Sequence, residues 1–373
     1  MSETPLLIKA DTARSADLFH AIPLEILDPF LYAEIDGRRV AVNSVLESDR
    51  ITGLGTGVEV LDFFSLGFDE LLNGGVSYPD AELETDLRAC RKLGIEHAAV
   101  GPEFPLALAE KLRAGGIELT VDRDRFVFRR RVKNPKQIAG TRRAQAAADA
   151  AMGLAAQLLG ELPEGVSCES IRVAMQELCS RAGCHLPDTV IVARNEQSAL
   201  GHDIGSGPIA QGDIVLIDIW PQDRGSRCWA DMTRTFIAGG AEAPEELREY
   251  WQLARASLAA VLPALVPGAV CRDIFGLACE PFEAAGQPTV RTKDPGTTLV
   301  DGFYHGLGHG VGLEVHEPPN LGRSDETLVA GDVVAVEPGC YRRGFGGVRL
   351  EELVLITEHG PEVLTDFPHS LET

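Results

Sequence analysis

Five residues in the C-terminal part of the chain are of types that bind divalent cations. Each lies in a short segment typical of a strand or a turn, and together they are Asp218, Asp231, His309, Glu337 and Glu351. Carboxylates bind hard cations, and an imidazole among them favours Mn, Co, Zn or Fe over Ca or Mg. Because these residues are far apart in sequence, they can converge only if strands from two halves of a domain come face to face. The set therefore predicts a site for a pair of divalent metal ions.

Asp218 and Asp231 lie in two segments that are typical of the arms of a hairpin. Asp218 belongs to the apolar run VLIDI, where strand geometry directs its carboxylate away from the neighbouring isoleucines. A carboxylate on an apolar strand is costly unless it is paired or binds a metal. A lone aspartate would as readily be an exposed charge on an edge strand. The presence of a second aspartate, Asp231 in DMTRT on the returning arm, favours a metal site over an exposed charge.

His309 lies in a glycine-rich stretch, HGLGHGVGLEVHE, which also carries His305 and His316. Glycines allow a backbone to approach a site closely. A lone histidine is more often a structural residue than a ligand. Three histidines in one such stretch are harder to explain by structure alone, so we interpret them as part of a site.

Two glutamates follow near the C-terminus. The strand VVAVE ends at Glu337, since proline and glycine come next, and its carboxylate is expected at an edge of the sheet. Glu351 follows Arg349 by two residues, which places both side chains on one face of a strand, where the arginine can orient the carboxylate. Glu352 would point the other way, and we expect it to be a solvent-exposed charge.

Five segments of the chain resemble the motifs of one enzyme family. They are DIVLIDIW (213–220), WADMTRTF (229–236), HGLGHGVGLEVHE (305–317), VVAVEPGCY (333–341) and GGVRLEELVLIT (346–357). They are similar to the metallopeptidases that include methionine aminopeptidases, Xaa-Pro aminopeptidases and prolidases, together with the metal-free creatinases. The resemblance is strong over residues 135–373. It implies an α+β chain, in which a small mixed α/β N-terminal domain precedes a pita-bread domain, a curved antiparallel sheet covered by helices.

The resemblance assigns the five residues to two metal ions. It implies that Asp218 holds one ion, that His309 and Glu337 hold the other, and that Asp231 and Glu351 bridge both. We expect Mn first, with Co, Zn or Fe as alternatives. A hydroxide shared by the two ions would attack the peptide carbonyl, and Glu337 would carry its proton to the leaving amine.

Catalytic and substrate-binding side chains also follow from the resemblance. Three histidines would hold the scissile carbonyl and stabilise the tetrahedral intermediate. The predicted catalytic residues are Glu337, His202, His309 and His316. The predicted substrate-binding residues are His202, His305 and His316, and to these we add two cationic candidates near the site that could hold a substrate carboxylate, Arg323 and Arg349. The other histidines match no motif and are expected to be surface or core residues: His20, His97, His185, His359 and His369.

The branch of the family can be narrowed. Methionine aminopeptidases generally lack so large an N-terminal domain, and creatinases have lost the metal ligands that this chain keeps. We therefore expect a peptide substrate that ends in or contains Xaa-Pro, and an Xaa-Pro dipeptidase. The alternative is an Xaa-Pro aminopeptidase that acts on longer peptides, and less favoured are a pseudo-peptidase binding module or a creatinase-type hydrolase.

Three departures from the family pattern concern the substrate pocket. Trp220 replaces a usual glycine, and the hairpin over residues 219–230 is longer than the family usually has. Asn320 occupies a position where dipeptidases often have an arginine that could hold the substrate carboxylate, and Arg323 follows shortly after it.

Composition limits the partners and the compartment. The net charge of −22 and the pI near 4.8 argue against nucleic acid and anionic membranes, which require clustered Lys and Arg. The eight cysteines form no CxxC pair, and the first residues lack the basic and apolar regions of a signal peptide. We therefore expect a cytoplasmic protein without membrane spans, and the resemblance implies a homodimer.

The length of 373 residues predicts two domains, because single cores stop growing near about 250–300 residues. We expect a domain over residues 1–132 with a hairpin around Asp36-Gly37, and a second over 133–373. Asn134 before Pro135, with Gln137 at the third position, predicts a capping box that begins a long helix. The predicted helices span about 136–160, 168–183, 245–265 and 271–285.

Overall fold

The computed structural model describes residues 3–373. The chain divides into two compact units, Met1–Arg130 and Arg131–Thr373. The boundary predicted from the sequence, between residues 132 and 133, lies two residues beyond this division. Within the described range, every helix is too short or too polar to cross a lipid bilayer.

The N-terminal unit is built on one mixed sheet of six strands, in the order β4-β3-β2-β1-β5-β6. Its strands are β1 (Leu6–Ala10), β2 (Phe30–Ile35), β3 (Arg38–Asn43), β4 (Val58–Asp62), β5 (His97–Val100) and β6 (Glu118–Val121). Its helices are α1 (Ala16–Ala21), α2 (Val45–Thr52), α3 (Phe68–Asn73), α4 (Tyr78–Lys92), α5 (Leu106–Ala114) and α6 (Arg123–Arg131). Apolar clusters made of strand and helix side chains form its core.

The turn between β2 and β3 confirms the predicted hairpin. Asp36 and Gly37 have positive φ angles of 49° and 75°, the left-handed conformation that a two-residue hairpin turn requires. Ile35 consequently pairs with Arg38 across the turn.

The C-terminal unit contains the remaining elements. Its helices are α7 (Pro135–Glu161), α8 (Cys168–Arg181), α9 (Glu245–Val261) and α10 (Cys271–Ala284). The strands of its first half are β7 (Cys184–His185), β8 (Ile191–Arg194), β9 (Ile214–Ile219), β10 (Gln222–Asp223) and β11 (Met232–Ile237). Those of its second half are β12 (Gly308–Gly310), β13 (Glu317–Leu321), β14 (Val333–Val336), β15 (Gly339–Arg342), β16 (Gly346–Arg349), β17 (Glu352–Thr357) and β18 (Gly360–Val363).

Helix α7 begins where the capping pattern predicts. The Asn134 side chain accepts from the Gln137 backbone N–H over 3.0 Å, and the Gln137 side chain accepts from the Asn134 N–H over 3.0 Å. Pro135 occupies the first turn, where its missing N–H costs nothing. The other predicted helices correspond to α8, α9 and α10. Helix α9 ends at Val261, and a 3₁₀ turn over Leu262–Ala264 follows.

Two antiparallel sheets organise the C-terminal unit. The first has the order β11-β9-β8 and follows α7 and α8, whereas the second has the order β13-β12-β14-β17-β18 and follows α9 and α10. Each pair of helices packs its buried face against strands of its own half. The unit thus consists of two similar halves, each a pair of helices followed by a sheet.

Candidate metal centre

The five predicted ligands lie at related places in the two sheets. Asp218 is in β9 and Asp231 directly precedes β11, whereas His309 is the middle residue of β12. Glu337 directly follows β14, and Glu351 lies between β16 and β17. Because β14 is the central strand of its sheet, Glu337 stands at the end of the middle strand, not on an edge strand. The first two residues come from one half of the unit and the other three from the second half.

The structure brings these side chains together. Ligand atoms of Asp231, His309 and Glu351 all lie within 4.8 Å of one another. The His309 Nε2 atom is 3.7 Å from Asp231 Oδ2 and 3.9 Å from Glu337 Oε1. Asp218 joins the group through Arg349, which forms an ion pair with it and lies 3.9 Å from Glu337 Oε2.

The tautomer of His309 leaves one nitrogen available as a ligand. Its Nδ1 lies 3.0 Å from the carbonyl oxygen of Gly310, and because that oxygen can only accept, Nδ1 donates the proton. Burial lowers the pKa of His309 to about 4, with a further contribution from His316, so the ring is neutral. Its Nε2 lone pair therefore faces the oxygens of Asp231 and Glu337, an arrangement that a cation between them would stabilise.

The carboxylates repel one another in a buried space. Burial raises the pKa of Asp231 well above its usual range, and the charges of Glu351 and Asp218 raise it further. Burial likewise raises the pKa of Glu351, and the charges of Asp218 and Glu337 raise it further. Burial raises the pKa of Glu337 to about 7, against the opposing charge of Arg349. Several acidic groups therefore share this space at a cost that bound cations would offset.

Two further observations fit divalent metal ions. The Oδ1 atom of Asp218 is buried without a hydrogen-bond partner among residues 3–373, although buried polar atoms are rarely left so. Arg349 carries one positive charge against four carboxylates, which leaves three negative charges to be balanced when all are ionised. The chemistry of the donors, four carboxylates and one imidazole, suits borderline divalent cations.

A set of hydrogen bonds orients the ligands, and two of its members were not singled out from the sequence. The Thr233 hydroxyl donates to Glu351 Oε2 over 2.7 Å and accepts from Arg349 Nε over 3.1 Å. A second guanidinium nitrogen of Arg349 donates to the Tyr341 hydroxyl over 3.3 Å. Thr233 lies two residues after Asp231, and Tyr341 is within VVAVEPGCY, so both could have been found by asking what satisfies Arg349.

The three outer histidines surround this centre. The Nδ1 of His305 donates to the carbonyl of Gly306 over 2.8 Å, so its Nε2 accepts from the Tyr341 hydroxyl over 2.9 Å. Burial and the charge of Arg349 lower the pKa of His305 to about 3.

His316 packs edge-on against His309, with 4.2 Å between the ring centroids. Burial lowers the pKa of His316, and the charge of Asp218 acts on it in the opposite direction. His202 follows Gly201, where an added Cβ would lie 3.2 Å from the Tyr304 hydroxyl, and the Tyr304 ring is 5.6 Å from that of His305. His202 and His316 are solvent-exposed, so both can contact a ligand that enters from solvent.

The two predicted substrate-binding arginines differ in their surroundings. Arg349 is 4% exposed and is held by the ligand network. Arg323 is exposed and has no ion pair within residues 3–373. It follows Gly322, whose Cα would lie 3.9 Å from a Cβ added at Gly306, beside His305. Arg323 therefore lies on the chain segment that passes next to the outer histidines.

The expectation that Glu352 is a solvent-exposed charge is wrong. Glu352 is 4% exposed, and its Oε1 accepts from Arg234 over 2.8 Å and is also bound by His369. The alternation of faces was predicted correctly, but the C-terminal segment over residues 367–369 covers the second face. No periodicity in β17 itself could have shown this.

The long hairpin over residues 219–230 has a structural explanation. Its Gln222 and Asp223 form β10, which pairs with β7. Arg143 of α7 donates two hydrogen bonds of 2.9 Å to the Asp223 carboxylate. Trp220 packs against the apolar core of the first half. The additional residues of the hairpin therefore pair and pack with the rest of the first half.

Comparisons with known proteins agree with this arrangement. The model of metallopeptidase family M24 matches residues 139–358. The chain is 30% identical over 278 residues to an Xaa-Pro dipeptidase of Pyrococcus horikoshii, covering 73% of this chain and 74% of that protein. It is 34% identical over 209 residues to an Xaa-Pro dipeptidase of Pyrococcus furiosus, an alignment that spans only 55% of each chain.

A solved structure, an Xaa-Pro dipeptidase from Bacillus anthracis, is similar over almost the whole chain. The TM-score is 0.81 at 22% sequence identity, with 99% of this chain and 94% of that chain covered. At this identity the likeness concerns the fold, and it confirms the predicted α+β pita-bread architecture.

Proposed function

Because the chain belongs to metallopeptidase family M24, we propose that it is a metal-dependent Xaa-Pro dipeptidase. The observation that carries the proposal is the convergence of buried carboxylates around the free Nε2 of His309. The relatives from the two Pyrococcus species are named Xaa-Pro dipeptidases, which supports this substrate class over longer peptides.

Two divalent ions are proposed, held as the family pattern implies. Asp218 would hold one, His309 and Glu337 the other, and Asp231 and Glu351 would bridge them. Two dications together with Arg349 would slightly exceed the charge of the four carboxylates, and one hydroxide would balance the site. Mn is the first candidate, with Co, Zn and Fe as alternatives for this donor set.

When bound, such ions lower the pKa of water and polarise a carbonyl. The protein's own residues do the remaining work. Glu337 lies 3.9 Å from His309 Nε2 and 3.9 Å from Arg349 Nε, at the centre of the site, where its carboxylate could take a proton and pass it to the leaving amine.

The outer histidines are proposed to hold the substrate carbonyl. His316 and His202 are exposed, and the less exposed His305 is held by the Tyr341 hydroxyl. A lowered pKa keeps His316 neutral at pH 7, and its one N–H can donate to the carbonyl. His305 is neutral as well, but its one N–H is donated to Gly306, so it would act by positioning and not by donating to the substrate.

Arg323 is proposed to bind the carboxylate at the end of a dipeptide. It is exposed and, in the part of the chain that the structure describes, has no acidic partner that would compete. A longer peptide has no carboxylate at that position, so a contribution from Arg323 would favour dipeptides. The alternative, an Xaa-Pro aminopeptidase, requires no such cation.

A panel of peptides tests the proposal. Metal-free protein is supplied with Mn or Co and assayed on Xaa-Pro dipeptides and Xaa-Pro-Yaa tripeptides. We expect kcat/KM to be higher for dipeptides. A preference for tripeptides would indicate the aminopeptidase, and hydrolysis that survives metal removal would indicate creatinase-type chemistry. Metal binding without hydrolysis of either peptide would indicate a binding module.

Two finer predictions accompany this function. All eight cysteines are free, buried thiols, which supports a reducing compartment such as the cytoplasm. The homodimer implied by the family resemblance stays a prediction, and sedimentation equilibrium of the full chain would test it.

A further inference from the structure

Arg234 directly follows Thr233 in β11. It is fully buried and is not one of the five proposed metal ligands. Its side chain is 0% exposed. One terminal nitrogen donates to the carbonyl oxygens of Thr233 and Glu351 over 3.0 and 2.6 Å. The other donates to Glu352 Oε1 and to the Phe367 carbonyl, each over 2.8 Å. The Nε donates to the carbonyl of Pro368 over 3.1 Å.

Several hydrogen bonds, including one from Arg234, join Glu351 to β11. The Glu351 backbone N–H donates to the Thr233 carbonyl over 3.2 Å. Its carboxylate accepts from the Thr233 hydroxyl, and its carbonyl accepts from Arg234. Because side chains alternate along a strand, Thr233 serves the face with the ligands while Arg234 serves the opposite face. The backbone and the side chain of Glu351 are thus both hydrogen-bonded to β11. This strand directly follows Asp231, the other proposed bridging ligand.

The same guanidinium holds the C-terminal segment. Besides the carbonyls of Phe367 and Pro368, it binds Glu352, which His369 also contacts. Further along, the Leu371 carbonyl accepts from the Ile237 backbone N–H over 2.8 Å, and Leu371 is buried in the apolar core. The last residues are therefore anchored beside the segments that carry two proposed ligands.

A gain in folding stability does not by itself explain why a charged arginine is buried at position 234. Burying an ion pair takes two charges out of water, and a well-packed apolar pair is often as stable. A guanidinium that satisfies several carbonyls in fixed directions instead specifies geometry, which a flexible ammonium cannot do. Here the geometry specified is the distance between β11 and Glu351.

We propose that Arg234 is a positioning residue for the metal centre, which fixes Glu351 against β11 and makes the C-terminal segment 367–369 part of the metal-binding structure. The inference rests on the proposed function, because it assumes that Asp231 and Glu351 bind metal. Arg234 touches neither substrate nor the proposed ions, so it would act through the ligands.

The test compares Arg234→Lys with a matched variant, Arg131→Lys. Arg131 also forms a buried pair in the same unit, with Asp332, where the two side chains are 4% and 0% exposed. Co²⁺ binding to metal-free protein is titrated, and the visible absorption spectrum of bound Co²⁺ is recorded together with the thermal midpoint. We expect Arg234→Lys to weaken Co²⁺ binding by about 10–100-fold and to change the spectrum. Arg131→Lys should lower the midpoint and bind Co²⁺ as the wild type does.

A second variant covers the case in which Arg234→Lys does not fold. Glu352→Gln keeps the shape of the side chain but leaves the Arg234 charge uncompensated next to Glu351, so Co²⁺ binding should weaken in that variant as well. Wild-type affinity in the folded variants would overturn the inference, as would equal losses in Arg234→Lys and Arg131→Lys. A wild-type protein that binds no Co²⁺ would instead overturn the proposed function.

Discussion

Replacement of Thr233 by valine removes the hydroxyl that joins a proposed ligand to its supporting arginine. Thr233 is 0% exposed, and valine has a closely similar shape. The change breaks the 2.7 Å bond to Glu351 Oε2 and the 3.1 Å bond from Arg349 Nε. Both partners remain buried, so neither can turn to water for a replacement.

The size of the effect follows from these two bonds. A hydrogen bond to a charged group contributes about 1.5–3 kcal/mol, so the two together contribute on the order of 3–6 kcal/mol. Metal affinity changes only by the part of this free energy that differs between the metal-free and the metal-bound protein. Loss of a partner that orients a ligand typically weakens metal binding by about 10–100-fold, equivalent to about 1.4–2.8 kcal/mol.

The assay is a titration of metal-free protein with Mn or Co, with circular dichroism to verify folding. Thr233→Ser is the control, because it keeps the hydroxyl and loses one methyl group, worth about 1 kcal/mol of stability. We expect the serine variant to bind metal nearly as the wild type does. The reasoning would be refuted if the valine variant kept wild-type affinity, or if serine and valine lost affinity equally.

Other expected outcomes address the remaining parts of the site. Asp231→Ala or Glu351→Ala should abolish metal binding and hydrolysis, as measured by elemental analysis and peptide assay, and near-normal turnover would contradict the bridging roles. His202→Ala or His316→Ala should lower kcat by about 10²–10³ with metal content unchanged, whereas metal loss would make them ligands. Arg323→Ala should raise KM for Xaa-Pro dipeptides far more than for tripeptides, and equal effects would remove its role. Because the buried acidic groups have raised pKa values, their protonated forms stabilise the metal-free fold at low pH and this stability is lost as pH rises through those values, up to about 7 for one of them. The thermal midpoint of metal-free protein should therefore fall over that range while added metal stabilises increasingly, and a pH-independent difference would contradict this.

The fold could be predicted from the sequence, and a candidate ligand set could be proposed, because both have local signals. The capping box at Asn134 and the turn at Asp36-Gly37 depend on residues close in sequence, and the structure confirms both. The ligands could be proposed because a carboxylate on an apolar strand, as at Asp218, is costly without a partner. The fold then brings Asp231 and His309 within ligand distance of each other.

The contacts that support the ligands were harder to predict because they join distant segments. Thr233 and Tyr341 are neutral residues within strands, and only the position of Arg349 shows that both are its partners. Glu352 was assigned to solvent because alternation shows which face a side chain occupies, but not what covers that face. Arg234 and the C-terminal segment supply that cover, and their contact spans more than a hundred residues of sequence.

The most direct test is to measure the metal content of the protein together with its hydrolysis of an Xaa-Pro dipeptide. Protein stripped by a chelator should be inactive, and activity should return as Mn or Co is added back, reaching its maximum at two ions per chain. Full turnover by metal-free protein would contradict the central claim, and a maximum at one ion per chain would contradict the shared roles of Asp231 and Glu351.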